Sequence, residues 1–282
     1  MIKEVIEYLN PQKGKIYIDA TLGDGGYTKA IFKKNPEIEV IGIDQNSESV
    51  DRAKENLAEF KDKIIFVHDN FKNVKDIVKD LGFLKVDGVV YDLGLASWQI
   101  ENSNLGITFS KNEPLDMRLD DSMPNLTTAT EILNKFPVKK IADILFKYGD
   151  VRGSWSIARR VEIARKNERI LYTGDLVRIV GNKSPKVLAP VFQALRIYVN
   201  REFENLEKSL NDVAEVLNKD AKAVVISYHS GEDRIVKNIF RDRVKSKEDI
   251  KILTKKPIKA SFDETILNPR ARSAKMRAII KI

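Results

Sequence analysis

A chain of 282 residues, 43% hydrophobic and 32% charged, is long enough to bury a substantial core and too apolar for a disordered tail. The absence of cysteine excludes disulfides, thiolate nucleophiles and zinc–thiolate sites, and no apolar run approaches the roughly 20 residues of a membrane helix. A formal charge of +8 and a pI near 9.3 favour a polyanionic partner, because cationic surfaces release counterions from phosphate backbones.

The first residues, M-I-K-E-V-I-E-Y-L, carry acids where a signal peptide would be apolar, so a cytoplasmic protein is expected. Apolar runs at 16–20, 39–44, 64–68 and 86–92 predict four strands. Between them, 28–34, 47–60 and 74–81 have helical spacing; Val50, Ala53, Leu57 and Phe60 recur every three or four residues. Strands alternating with helices imply a parallel sheet with right-handed crossovers.

From about Gly106 the strand signals stop. Helices are predicted over 127–134, 138–148, 156–166 and 173–180, in a stretch (106–190) with 15 Lys+Arg against 10 Asp+Glu. The rest of the chain has 34 against 31, so the insert holds most of the excess charge. Pro190 is expected to open one long helix through Leu195, Val199, Phe203, Leu206, Leu210, Val213 and Leu217. A fifth strand (221–228), a helix (230–241) with Ser230 and Asp233 as its capping pair, and strands at 250–253 and 276–282 complete the chain. The expected organisation is a discontinuous α/β domain, 1–105 and 191–282, interrupted by a helical insert, 106–190.

The chemistry concentrates at strand ends. T-L-G-D-G-G-Y-T (21–28) follows a strand and opens a helix, where glycines let the backbone turn sharply beside a ligand. A dinucleotide fingerprint needs a third glycine where Thr28 stands, which disfavours a pyrophosphate and a nicotinamide-dependent oxidoreductase. Asp19 precedes the turn, and Asp44 ends the next strand, placed to accept hydrogen bonds from ribose hydroxyls. A nucleoside without a pyrophosphate, such as S-adenosylmethionine, suits this set; a tight turn with a surface acid is the plain alternative. Asn70–Phe71 follows the third strand, where an aromatic face can stack on adenine or simply fill the core.

Asp92, in Y-D-L-G-L-A-S-W-Q (91–99), ends the fourth strand on the ligand-binding edge of such sheets, and Gln99 follows it. His229, in V-I-S-Y-H-S-G-E-D-R, stands just past the fifth strand as a candidate base or hydrogen-bond partner near neutral pH. His68 reads as structural, and two isolated histidines offer no metal site. Two basic groups remain, Arg159, Arg160, Arg165 and Lys166 in one, and Arg270, Arg272, Lys275 and Arg277 in the other. With Trp155 and Trp98 as stacking surfaces, Arg159, Arg160, Arg270, Arg272 and Lys275 are candidate RNA contacts; solvated charged faces are the alternative.

These segments together resemble the RsmH/MraW family of bacterial methyltransferases. The resemblance runs through E-V-I-E-Y-L-N-P, T-L-G-D-G-G, L-D-M-R-L-D, F-Q-A-L-R-I-Y-V-N, V-I-S-Y-H-S-G-E-D-R-I-V-K, T-K-K-P-I-K and N-P-R-A-R-S-A-K-M-R. It implies a class I, Rossmann-like methyltransferase fold with a mostly parallel seven-stranded sheet and a helical RNA-binding insert. It implies S-adenosylmethionine as cofactor, held by Gly25, Gly26, Tyr27, Asp44, Phe71, Asp92 and Gln99. The implied reaction is methylation of N4 of a cytidine in the decoding region of 16S rRNA, on the small ribosomal subunit, by a monomer or homodimer, with Asp92 and His229 as candidate catalytic groups. A non-catalytic RNA-binding assembly factor would share the same basic features. The sequence departs from the family's pattern at Tyr27, usually His, at Trp98, usually Pro, and in K-V-L-A-P ahead of F-Q-A-L-R-I; the usual upstream His-x-Pro-Val segment is not in this sequence.

Overall fold

A computed structural model describes residues 1–95, 97–102, 104–120, 126–246 and 249–282. It divides into two compact units, Met1–Gly94 with Phe203–Ile282, and Leu95–Glu202. The positions expected from sequence for the insert, 106 and 190, both fall inside the second unit. Among the described residues no helix is long and apolar enough to cross a membrane.

The strands, all in the first unit, are β1 (Ile16–Asp19), β2 (Glu39–Asp44), β3 (Ile64–His68), β4 (Val86–Asp92), β5 (Leu217–Ser227), β6 (Ile250–Ile252), β7 (Ile258–Lys259) and β8 (Lys275–Lys281). The helices before the second unit are α1 (Ile2–Leu9), α2 (Gly26–Lys34), α3 (Ser47–Asn56) and α4 (Val74–Asp80). The second unit contains α5 (Ser97–Asn102), α6 (Ala129–Lys135), α7 (Val138–Gly149), α8 (Ser154–Asn167), α9 (Thr173–Val180) and α10 (Pro185–Asn200). The chain continues through α11 (Glu202–Val216), α12 (Ser230–Ser246) and α13 (Phe262–Leu267).

One sheet runs β3-β2-β1-β4-β5-β8-β6, with the two-residue β7 paired beside β8. Strands β1 to β5 are parallel, and β8 is antiparallel to β5, β6 and β7. This is the expected class I methyltransferase fold, seven strands along the path with the short β7 as an addition. Its central strands are nearly continuous apolar runs because helices cover both faces. Strand alternation sends Ile18, Ile41, Val89 and Val225 to one face, against Leu206, Leu210, Val236 and Phe240. It sends Tyr17, Val40, Val90 and Val224 to the other, against Val5, Leu9, Ile31 and Leu57.

Three sequence readings need correction. The single helix expected from Pro190 is two helices, α10 and α11. Ser184 and Pro185, not Pro190, open α10, and Pro190 lies inside it. The helix ends at Arg201, whose φ of 51° is left-handed. There Asn200 is held by the loop before α6: its amide donates to the Met117 carbonyl at 2.8 Å, and its Oδ1 accepts from Leu119 N at 2.8 Å. No local pattern advertises that long-range clamp. Second, β5 starts at Leu217, four residues early, because a bulge between Val86 and Gly88 absorbs extra residues. Third, Asp233 is not simply a capping acid: it pairs with Arg277 at 2.7 Å and Lys275 at 3.4 Å, both on β8.

Candidate active site

The three strands β2, β1 and β4 are neighbours, and each ends on an aspartate. Asp19 pairs with Gly42 and with Val90, so Asp44 and Asp92 stand two residues further along their strands, on the same face, and all three acids reach one edge of the sheet. Asp19 is buried and accepts from Thr28 Oγ1 at 2.8 Å; loss of solvation pushes its carboxyl up to about 6. Asp44 accepts from the backbone N–H of Gly23 at 2.8 Å and of Asn46 at 2.9 Å, and burial raises it as well. Asp92 is pushed up to about 7, first by burial and then by the Asp19 charge, against the Tyr228 hydrogen bond that lowers it.

Between β1 and α2 the chain turns at Gly25, which has φ 81° and caps the helix. A Cβ there would meet Leu57 Cδ1 at 2.5 Å, so both backbone and packing demand glycine. A Cβ on Gly26 would meet nothing within 4 Å, so the turn's other side has room. The edge beyond β3 is tied by side chains: Asn70 Nδ2 donates to Gln45 Oε1 at 2.6 Å, and Asp69 N to the Asp44 carbonyl at 3.1 Å. Phe71 is half-buried and packs edge-on against Tyr91, ring centroids 5.9 Å apart. Its carbonyl accepts from Ser209 Oγ at 2.8 Å, which fixes the backbone just after β3.

Tyr228 completes the centre. Its hydroxyl donates to Asp92 Oδ1 at 2.7 Å, and Asp92 N donates to Thr21 Oγ1 at 2.6 Å. Tyr27 stands beside this pair: burial, followed by the Asp92 and Tyr228 charges, raises its hydroxyl. Tyr27, Asp92 and Tyr228 thus form one group. The sequence singles out His229, yet its neighbour Tyr228 is the residue that reaches Asp92. The signal lies in the register, since Ile226 pairs with Asp92 and Tyr228 lies two residues on, along the same side.

His229 turns toward its own helix. Its Nδ1 accepts from Glu232 N at 3.4 Å, its Nε2 lies 3.0 Å from Glu232 Oε1, and its ring packs on Phe203. Glu232 Oε2 accepts from Tyr228 N at 2.9 Å, so His229 and Glu232 together brace the start of α12. His68 is exposed, with Nε2 3.2 Å from the Gln45 carbonyl. Among the described residues no His, Cys, Asp and Glu group has the form of a metal site.

Gln99 is buried on α5 of the second unit; Ala96, in the same motif, is outside the described residues. Trp98 is also buried, at 7% exposure, which leaves Trp155, at 54%, as the accessible stacking surface. Arg159 is exposed and 3.4 Å from Glu162, and Arg160 is exposed nearby on α8. Arg165 instead donates to the Leu133 and Phe136 carbonyls at 3.0 and 2.7 Å, a packing role. In the first unit Arg270 and Arg272 are exposed, and Lys275 is half-buried against Asp233.

Three carboxylates with raised pKa values on one edge call for a cationic ligand, because positive charge offsets the burial that opposes their ionisation. S-adenosylmethionine carries both a sulfonium and an ammonium, and its ribose hydroxyls suit an acid at the end of β2. The residues present fit it: Gly25, Gly26 and Asp44 would serve the nucleoside side and Asp92 the charged end, with Asp19 adding its charge from the buried layer beneath.

The chain is similar to several known proteins. A curated protein of Ehrlichia chaffeensis, named ribosomal RNA small subunit methyltransferase H, is 39% identical over 294 residues, covering 100% of this chain and 98% of that one. A Thermotoga neapolitana protein of the same name is 41% identical over 291 residues, covering 99% and 93%. A solved rRNA methylase from Streptococcus thermophilus superposes with a TM-score of 0.47 at 8% identity, covering 100% of this chain and 93% of that one. The model of the MraW methylase family matches from residue 1 to residue 282. With that match over its whole length, the chain belongs to the MraW methylase family, whose methyl donor is S-adenosylmethionine.

Proposed function

We propose that this protein methylates ribosomal RNA of the small subunit, and that its target is the N4 exocyclic amine of a cytidine in the decoding region of 16S rRNA. The relatives' name supports the RNA and the subunit. The choice of an exocyclic amine rests on one observation, the Asp92 carboxylate held by Tyr228. Oδ1 accepts the hydrogen bond of the Tyr228 hydroxyl at 2.7 Å, while Oδ2 accepts no hydrogen bond among the described residues. An amine N–H is the donor that such an oxygen suits.

The N4 lone pair is delocalised into the cytosine ring, so the protein's main contribution is orientation, worth on the order of 7–11 kcal/mol when geometry is ideal. Asp92 Oδ2 accepts one amine hydrogen, localises the lone pair and takes up the proton as the new C–N bond forms. With its carboxyl near 7, Asp92 is matched to that exchange at neutral pH. Tyr228 keeps the other oxygen occupied and so fixes the carboxylate's rotation. The bound cofactor supplies an electrophilic methyl group on a sulfonium. Gly25, Gly26, Tyr27, Asp44, Phe71 and Gln99 are assigned to holding it, and Arg159, Arg160, Arg270, Arg272 and Lys275 to the RNA. The reaction is assigned to the cytoplasm.

Small ribosomal subunits from a strain lacking the family enzyme, incubated with this protein and labelled S-adenosylmethionine, should yield label in N4-methylcytidine after digestion to nucleosides. Label in another nucleoside would reject the N4 assignment. Cofactor binding with no transfer at all would favour an assembly factor.

A further inference from the structure

The segment between β6 and β8 has a charge pattern unlike the rest of its domain. From Lys255 to Arg277 it holds seven Lys and Arg against only Asp263 and Glu264. Outside this segment and the 106–190 stretch, the chain has 27 cations and 29 acids. Lys255, Lys256, Lys259 and Arg272 are exposed and make no ion pair among the described residues.

The same segment exposes apolar side chains that a lone domain has no reason to show. On α13, Phe262 is 78%, Ile266 61% and Leu267 87% exposed, and the first two are one helical turn apart. The segment is nonetheless fastened down. Ala271 and Ala274 are buried, Ile258 and Lys259 pair with Met276 and Lys275, and Glu264 pairs with the Met1 amine.

Its position follows from register. Asp92 pairs with Ile226, Ile226 with Met276, and Met276 with Ile258. These four residues form one row across β4, β5, β8 and β7, and Asp92 is three strand spacings, roughly 14 Å, from the strand that leads into α13.

We infer that Lys255–Arg272 is a docking surface for single-stranded RNA flanking the target nucleotide, with Phe262 as a base-stacking platform and Lys255, Lys256, Lys259 and Arg272 as phosphate contacts. The inference rests on the proposed RNA substrate. An exposed aromatic in one short segment with exposed cations is the composition that binds single strands, where stacking serves any base and the charges follow the backbone. A second copy of the chain fits poorly: docking this patch on itself would oppose like charges, and three apolar side chains fall far short of the roughly 800 Å² per partner of a stable interface.

The test is fluorescence anisotropy of the full-length protein with a short labelled single-stranded RNA containing one cytidine, beside S-adenosylhomocysteine affinity and sedimentation. Phe262→Ala should weaken RNA binding about 5- to 100-fold, the range for loss of one stacked base, while Phe262→Trp restores it. Replacing Lys255, Lys256 and Lys259 together by Gln should flatten the slope of log affinity against log salt by about 2. Cofactor affinity should not change in either. Wild-type affinity in Phe262→Ala, or a dimer that this substitution dissociates, would overturn the docking surface. If wild-type protein transfers no methyl group to rRNA, the proposed reaction falls, while the oligonucleotide titration still decides the surface. Absence of RNA binding by wild type at low salt would overturn both.

Discussion

Tyr228 and Asp92, 136 residues apart in the chain, meet in a 2.7 Å hydrogen bond between a phenol donor and Asp92 Oδ1. Removing that donor alone is the sharpest probe of the site. Tyr228→Phe should cut kcat about 10- to 100-fold, the equivalent of one hydrogen bond to a charged group. Affinity for S-adenosylhomocysteine should stay within a few-fold. Because the Tyr228 bond lowers the Asp92 pKa, its loss should also move the pH–rate midpoint upward. A Tyr228→Phe enzyme with unchanged kcat and pH profile would remove Tyr228 from the mechanism.

Asp92→Asn should lose about 10²- to 10⁴-fold in turnover, since the amide still accepts a hydrogen bond but cannot take a proton. Folding should not suffer, because the substitution removes a charge whose burial is costly. Thermal unfolding at pH 8 should therefore show an equal or higher midpoint, and a variant that unfolds early would make Asp92 structural first.

His229 sits against Phe203 and braces the first turn of α12, so its replacement should act on that turn. His229→Ala should cost about 1 kcal/mol, as loss of a helix-start acceptor does, and His229→Asn should recover most of it. Comparing kcat in the two variants separates support from chemistry. Equal and large losses of turnover in both would identify the imidazole itself as a reacting group.

Asp19 and Asp92 set a pH dependence of stability whose sign is fixed. Both have folded pKa values, about 6 and about 7, above the ordinary 3.8, so the folded protein binds more protons than the unfolded chain between those limits. Their contribution is complete below about 4 and is lost as pH rises through 6 to 7. Cofactor-free protein should lose on the order of 2–3 kcal/mol between pH 5.5 and 7.5, measured by urea unfolding. Affinity for S-adenosylmethionine should rise over the same interval, and more than that for the uncharged-sulfur product. A flat profile for both ligands would mean the acids do not face the sulfonium.

In the second unit, arginines on one helix should divide by partner. Arg159→Ala with Arg160→Ala should weaken RNA binding and reduce its salt slope by about 1, with thermal stability unchanged. Arg165→Ala should do the reverse, because its guanidinium bridges the Leu133 and Phe136 carbonyls. Loss of RNA affinity only in Arg165→Ala would relocate the contact surface.

Where physics is local, the sequence is a good guide. β2, β3 and β4 lie where their apolar runs place them, and α9 matches its predicted span. The acids ending β1, β2 and β4 stand out in the residues alone, because strand followed by turn is a short-range pattern. The break at Arg201 does not, since it depends on Asn200 reaching Met117 and Leu119 some 80 residues away in sequence. The same reason hides Tyr228: its role depends on which strand pairs with β4, a fact of topology that no window of residues contains. Trp98 reads as a stacking surface because a tryptophan in a polar loop resembles one, and only packing reveals that it is buried.

The common face shared by Asp19, Asp44 and Asp92 makes the hydrogen-bonded ladder a measuring device. Each strand advances about 3.3 Å per residue and turns successive side chains to opposite faces. Inserting or deleting one residue within β1, β2 or β4 would therefore shift one carboxylate by that step and point it away from its companions. Length changes should be tolerated in the loops at the amino ends of these strands and excluded from the strands themselves, whatever residue is gained or lost.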